Sequence, residues 1–316
     1  SFLVLHPSGR FLYTVNEVYT ADSGAVSAYA VDAISGGLTF LNRQPSHGGA
    51  PCHLALDAAG HALLVANYQT GSVAVLPIAE DGCLGSASDV LQHVGSSINA
   101  QRQQGPHAHS VTFDPDGRFV LVCDLGLDKI LVYRFDGERG KLVPHATPWA
   151  EVRAGAGPRH LDFHPSGRWV YAINELDSTI DVFAFDREAG TLLSLQHVST
   201  LPPDIKGTNH CADIHVAPSG RFVYGSNRGH DSIAVFGVDD HTGRLSPVGH
   251  TATNGRTPRN FAIDPTGSWL FVANQDSDSI VPFHVDAQNG HLEPAGPPVA
   301  VPTPVCVRMM PSPARG

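Results

Sequence analysis

Six copies of one fourteen-residue motif constrain this chain more than anything else in its 316 residues: "LVLHPSGRFLYTVN", "LALDAAGHALLVAN", "VTFDPDGRFVLVCD", "LDFHPSGRWVYAIN", "IHVAPSGRFVYGSN" and "FAIDPTGSWLFVAN". Their turn glycines, Gly9, Gly60, Gly117, Gly167, Gly220 and Gly267, are spaced by 51, 57, 50, 53 and 47 residues. A period of this size is that of one propeller blade.

Within each copy a short alternating strand, A, leads through a Pro/Gly turn into a nearly continuous apolar strand, B, the signature of a strand buried on both faces. A third strand, C, follows in "DSTIDVFAFD", "DKILVYRFD", "DSIAVFGVD" and "DSIVPFHVD". A G-x-L turn at Gly36, Gly82, Gly140, Gly190, Gly243 and Gly290 then opens strand D. Four antiparallel strands repeated radially make a β-propeller, and no helical period competes.

One all-β propeller domain is therefore expected over residues 1–316, with six full blades and one strand of a seventh at 304–310, from "TPVCVRMMPSP". Propellers usually close by pairing strands from both chain ends. This chain starts on a strand A, so an N-terminally incomplete sequence or an open ring is expected.

Composition excludes several function classes. Hydrophobic residues at 42% and charged residues at 16% suit a compact protein with a large core. A formal charge of -10 argues against gripping nucleic acid or an anionic membrane by bulk charge, so an anionic ligand needs a local Arg cluster. No apolar run reaches the roughly 20 residues needed to span a bilayer. Five scattered Cys without a C-x-x-C pair read as reduced structural thiols in a cytoplasmic protein. No metal is expected, because no clustered His and acidic pattern with ligand spacing on one element occurs, the single H-x-x-x-H, His160 to His164, falling in an alternating strand. Nor is an organic cofactor, since dinucleotide and phosphate-loop motifs are absent.

Alignment on the turn glycine compares six blades of one chain position by position. Seven residues after it stand Asn16, Asn67, Asp124, Asn174, Asn227 and Asn274, short polar side chains that can bond backbone where strand B leaves the sheet. One residue later the series is Glu17, Tyr68, Leu125, Glu175, Arg228 and Gln275, with no common chemistry. Eight residues before the glycine lie Ser1, Cys52, His109, Arg159, Ala212 and Arg259, again mixed. These two variable slots are free to carry function, and both open on one end of the blade, so His109, Arg159, Glu175, Arg228 and Arg259 are expected around the channel mouth. His107, Asn209, His210 and His230 border the same face, and Glu17 and Gln275 complete the second slot. Each has a plainer reading, above all a structural ion pair for Arg159 and Glu175.

The motifs "PHAHSVTFDPDGRFVLVCDLGLDKILVY", "GPRHLDFHPSGRWVYAINEL" and "SNRGHDSIAVF" resemble the seven-bladed propeller lactonase family, which includes propeller-type 6-phosphogluconolactonases and fungal carboxymuconate lactonizing enzymes. The resemblance implies seven blades, and it implies that His109, Arg159, Arg228 and Glu175 match the family's suspected catalytic or substrate-binding groups. On it, the expected activity is hydrolysis of a sugar δ-lactone, 6-phosphogluconolactone, a small anionic substrate. Glu175 or His109 would act as general base with the other as acid, while Arg159 and Arg228 hold the oxyanion or the substrate's anionic group. Substrate contacts would come from Arg259, His107, Asn209, His210, Glu17 and Gln275. A carboxymuconate cycloisomerase, or a non-catalytic propeller binding a small anion or peptide, are the competing readings.

Overall fold

The computed structural model describes residues 1–19, 24–205 and 207–310, and the chain forms two compact units, Ser1–Trp149 with the segment from Arg308, and Ala150–Val307. In the first unit, one sheet holds β1 (Leu3–Leu5), β2 (Phe11–Asn16), β3 (Ala25–Val31) and β4 (Leu38–Pro45). The second holds β5 (Pro51–Leu56), β6 (Ala62–Asn67), β7 (Ser72–Pro77) and β8 (Asp89–Gln92). The third holds β9 (Ala108–Phe113), β10 (Phe119–Asp124), β11 (Lys129–Asp136) and β12 (Lys141–Glu151).

The second unit repeats this plan. Its sheets are β13 (Pro158–Phe163), β14 (Trp169–Asn174), β15 (Thr179–Asp186) and β16 (Thr191–Ser199), then β17 (His210–Val216), β18 (Phe222–Arg228), β19 (Ser232–Val238) and β20 (Leu245–Ala252). The last contains β21 (Pro258–Ile263), β22 (Trp269–Asn274), β23 (Ser279–Val285) and β24 (Leu292–Pro294), with β25 (Val299–Ala300) also on β23. The six antiparallel four-strand blades match the repeat. In each unit the first strands of successive blades lie side by side, and strands such as β6, β10 and β14 are buried along their whole length.

The repeated letters serve as fasteners between blades. Tyr13, Tyr171 and Tyr224, each four residues after its turn glycine, donate their buried hydroxyls to the carbonyls of Gly82, Gly243 and Gly290 in the next blade, at 3.0–3.1 Å. Gly243 is required twice over. Its φ of 71° is the left-handed conformation, and a Cβ there would lie 2.4 Å from the Trp169 ring. The turn residue before Pro alternates in role: Asp114 caps its own turn by accepting the Phe119 N–H at 2.6 Å, whereas His6 and His164 reach the next blade's Gly60 and Gly220 carbonyls at 3.0 Å.

The Asn series is structural, as expected. Asn67, Asn227 and Asn274 donate Nδ2–H to the carbonyls of Ser46, Thr200 and Thr253. Blade three departs from the rule. Asp124 has no amide to donate, and His93 supplies the proton instead, its Nδ1 lying 2.6 Å from Asp124 Oδ2 in a fully buried pair.

The expected strand at 304–310 is not formed. Those residues form no named strand; Val307 donates its N–H to the Asn260 side chain at 2.7 Å, and the Arg308 guanidinium lies over the Phe2 ring at 4.5 Å.

Candidate active site

One backbone irregularity builds the first variable slot. In β5, β9, β13 and β21 the register slips by one residue against the partner strand, and the residues left over are Cys52, His109, Arg159 and Arg259. In β17 the slip is also one residue, Ala212 and Asp213 standing opposite the single Ser226 between the Cys211–Asn227 and Ile214–Gly225 pairs. A β-bulge re-aims the side chain it carries, so a slot eight residues before the turn can vary without disturbing the sheet.

In the second unit the bulges and strand ends bring Arg159, Glu175 and Arg228 into contact. Glu175 leaves β14 with its N–H on the Gly157 carbonyl at 2.7 Å, which sets it opposite the Arg159 bulge. Glu175 Oε2 then accepts from Arg159 Nε at 3.0 Å and pairs with Arg228 Nη2 at 2.9 Å. Arg159 and Glu175 are 3% and 6% exposed. The β17 bulge holds the cations from behind, since Arg159 Nη1 donates to Ala212 C=O at 2.5 Å, and Arg228 donates Nε–H to His210 C=O at 3.3 Å and Nη2–H to Cys211 C=O at 2.8 Å.

Two guanidiniums share this carboxylate, and a third, that of Arg259, lies within electrostatic reach of both. Burial, then the charges of Arg228 and Arg259, lower the Arg159 pKa to about 9 against the pull of Glu175 and Asp213. Arg228 is lowered too, by burial first and by Arg259 among its charged neighbours. Arg259 itself makes no hydrogen bond or ion pair with another described residue. Arg159 is buried while Arg228 and Arg259 are part-buried, and like charges gathered this closely around one carboxylate cost stability unless an anion balances them.

The other expected residues have varied surroundings. Asn209 is committed internally, donating to Ser178 Oγ and Asn227 Oδ1 and accepting the His230 N–H. His210 lends its carbonyl to Arg228, while its buried Nδ1 has no hydrogen-bond partner. Gln275 opens a short 3-10 turn (Gln275–Ser277), and its buried Oε1 likewise lacks a partner. In the first unit, Tyr68 stacks on His107 at 4.6 Å and meets His109 edge-on at 5.4 Å, and Arg102 donates to the Tyr68 hydroxyl. Glu17 pairs with the Ser1 amino group and accepts the Tyr19 hydroxyl.

The family described as "Lactonase, 7-bladed beta-propeller" matches residues 1–309. The chain belongs to that family. A 6-phosphogluconolactonase of Bacillus subtilis is 38% identical over 312 residues, covering 98% of this chain and 87% of that protein. A 6-phosphogluconolactonase of Formosa agariphila is 35% identical over 268 residues, 84% of this chain and 75% of its own. Among solved structures, the periplasmic gluconolactonase of Pseudomonas aeruginosa superposes with a TM-score of 0.93 at 35% identity, over 99% of this chain and 88% of that one. The six blades described above are thus lactonase-family blades.

Two residues of this cluster were missed in the sequence. His160, next to Arg159, accepts from Arg159 Nη1 on its Nε2 at 3.1 Å and places Nδ1 2.7 Å from Asp213 Oδ1. The signal was present as a His beside the slot Arg and an Asp beside the slot Ala, in "PRH" and "CAD". Among the described residues, the group within metal-ligand reach is Asp239, Asp240 and His241, exposed on a turn beyond the far end of β19 and apart from these guanidiniums. No described helix is long and apolar enough to cross a membrane.

Proposed function

We propose that this chain hydrolyses a sugar δ-lactone, with 6-phosphogluconolactone as substrate. The observation that carries the reading is the ratio of groups in the second unit: Arg159 and Arg228 share the single Glu175 carboxylate with Arg259 in electrostatic reach of both, and an anionic substrate supplies the balancing charge. The names of the Bacillus and Formosa relatives favour the phosphorylated lactone, and the name of the Pseudomonas structure favours an unphosphorylated one.

In the proposed reaction, water adds to the lactone carbonyl, the ring C–O bond breaks, and the proton lost by water is balanced by one delivered to the departing ring oxygen. Glu175 takes the water's proton, held in place by two guanidiniums. Arg228 steadies the developing oxyanion, and Arg259 binds the phosphate. Arg159 fixes Glu175 and adds positive charge from behind. His109 is the proposed acid, on the family resemblance of its motif. Cytoplasmic placement is also a proposal, supported by five thiols with no disulfide.

The test is a coupled assay for 6-phosphogluconate, run beside glucono-δ-lactone and a carboxymuconate, with wild type, Glu175→Gln and Arg159→Ala. Turnover of the phosphorylated lactone well above its spontaneous rate, lost in both variants, is expected. Equal rates in all three proteins remove the catalytic assignment. Turnover of the muconate alone replaces hydrolysis with lactone formation, and turnover of none leaves an anion-binding propeller.

A further inference from the structure

The bulge in β17 does more than supply carbonyls. Asp213, 3% exposed, points into the sheet and collects partners from three strands. Its Oδ1 lies 2.7 Å from His160 Nδ1 and accepts the Ile214 N–H at 3.1 Å. Its Oδ2 is met by Asn260 Nδ2, by His215 Nε2 at 3.2 Å and by the Phe261 N–H at 3.3 Å. The Asn260 amide is oriented by its own oxygen, which accepts the Val307 N–H at 2.7 Å.

The opposite side of the His160 ring faces Arg159 Nη1 at 3.1 Å. A guanidinium can only donate, so His160 Nε2 must carry its lone pair there, and the ring proton must sit on Nδ1. A carboxylate can only accept, so an ionised Asp213 enforces that tautomer. We propose that Asp213 is a positioning residue for Arg159, acting through His160, whose Nδ1–H tautomer it fixes. The proposal rests on the reading of Arg159 as part of the lactone site.

The electrostatics agree with the geometry. Burial, then Arg159, lowers the His160 pKa to about 4, so the ring is neutral at pH 7. Burial alone would raise the Asp213 carboxyl, but the His215 charge and the bonds from His160 and His215 hold it well below the usual carboxylate range. The charged and titratable groups facing His160 are therefore Arg159 on its own strand and Asp213 and His215 on β17, with Asp162 touching His215 at 3.8 Å.

Asp213→Asn tests the idea because an amide must choose its orientation. Its oxygen satisfies the Asn260 and Phe261 donors together, against the single Ile214 N–H on the other side, which turns the NH2 group toward His160 Nδ1. His160 then shifts its proton to Nε2 and aims it at Arg159. His160→Gln separates this route from a structural one, since a Gln side chain can present an oxygen to Arg159 without help from Asp213.

Kinetics of the full chain are measured for Asp213→Asn, His160→Gln and the double variant, beside long-range proton–nitrogen spectra of the His160 ring. Asp213→Asn is expected to lower kcat/KM by about 10²-fold, the scale of a 1 Å misplacement. In the His160→Gln background the same change is expected to cost less than about threefold, so the two changes couple far beyond additivity error. Equal losses in both backgrounds, or no loss in the wild-type one, overturn the proposal. So does a wild-type His160 found with its proton on Nε2 or doubly protonated at pH 7, a result that also decides the matter if Asp213→Asn does not fold. If wild type hydrolyses no lactone, the function proposed above fails. The ring spectra of wild type and Asp213→Asn then test the tautomer by themselves.

Discussion

The β5–β6 hairpin of the first unit and the β13–β14 hairpin of the second share a backbone and differ in the side chains they carry. Both bulge one residue after a Pro paired with Asn, Pro51 with Asn67 and Pro158 with Asn174. Both return the residue after that Asn to the chain just before the Pro, Tyr68 N–H to Ala50 C=O and Glu175 N–H to Gly157 C=O. Even the bulged side chains reach for equivalent acceptors in the next blade: Cys52 Sγ lies 3.2 Å from the His109 carbonyl, and Arg159 Nη1 lies 2.5 Å from that of Ala212. The bulge is thus a property of the blade. What distinguishes the second hairpin is that a long cation occupies the bulge and a carboxylate ends the neighbouring strand, the pair proposed above to act on the lactone.

The comparison is broken most severely by Glu175→Gln. It removes the carboxylate that two buried guanidiniums share, and kcat/KM on the preferred lactone is expected to fall by about 10³-fold, the upper range for a lost charge-stabilising group. Circular dichroism melting should show a large drop in stability as well, because the cations are left without their counter-charge, a change of about 3–5 kcal/mol when a buried pair is broken. Retained activity would mean that the hairpin of the second unit is as structural as its counterpart.

A second break uses pH. The Arg159 pKa is lowered to about 9, so the charged form is present at neutrality and is lost as pH rises through that value. Calorimetric titration with 6-phosphogluconate should show affinity falling by about tenfold from pH 8 to pH 10, one cationic contact's worth at about 1.4 kcal/mol. An unchanged affinity would remove Arg159 from anion binding. Acid acts on the same unit in the other direction. The folded His160 resists protonation down to about pH 4, while the unfolded ring binds a proton near 6.5, so stability should decline as pH falls between those values.

The smallest effect sharpens the contrast. Cys52→Ala removes a weak thiol contact from the equivalent bulge and should leave kcat/KM within about twofold, with a loss of about 1 kcal/mol in denaturant unfolding. A large loss of activity would show that the bulge slot matters to catalysis irrespective of its side chain.

The six-fold repeat made the blades legible, down to the turn glycines and the Asn series with its one Asp, because a scaffold need repeated six times leaves the same or a closely similar letter each time. The slots of Arg159 and Glu175 stood out for the opposite reason, since variable letters within an invariant frame have no shared structural task. The bulge was hidden: an extra residue in a strand leaves no mark unless the register is known. His160 and Asp213 were hidden as well, because each reads as an ordinary polar position of an alternating strand, and their meeting depends on two blades packing together. The pattern at Pro304 erred in the reverse direction, showing strand-like alternation where the described residues offer no ladder.

The tyrosine fasteners give each unit a polarity of damage. In every case the hydroxyl comes from one blade and the turn carbonyl from the blade that follows it, Tyr13 to Gly82, Tyr171 to Gly243 and Tyr224 to Gly290. A lesion in a blade's own G-x-L turn therefore strands a buried hydroxyl in the blade before it, while a lesion in its central strand frees the turn of the blade after it. Fraying should travel along the chain by nearest neighbours, as in a zip whose teeth all lean one way.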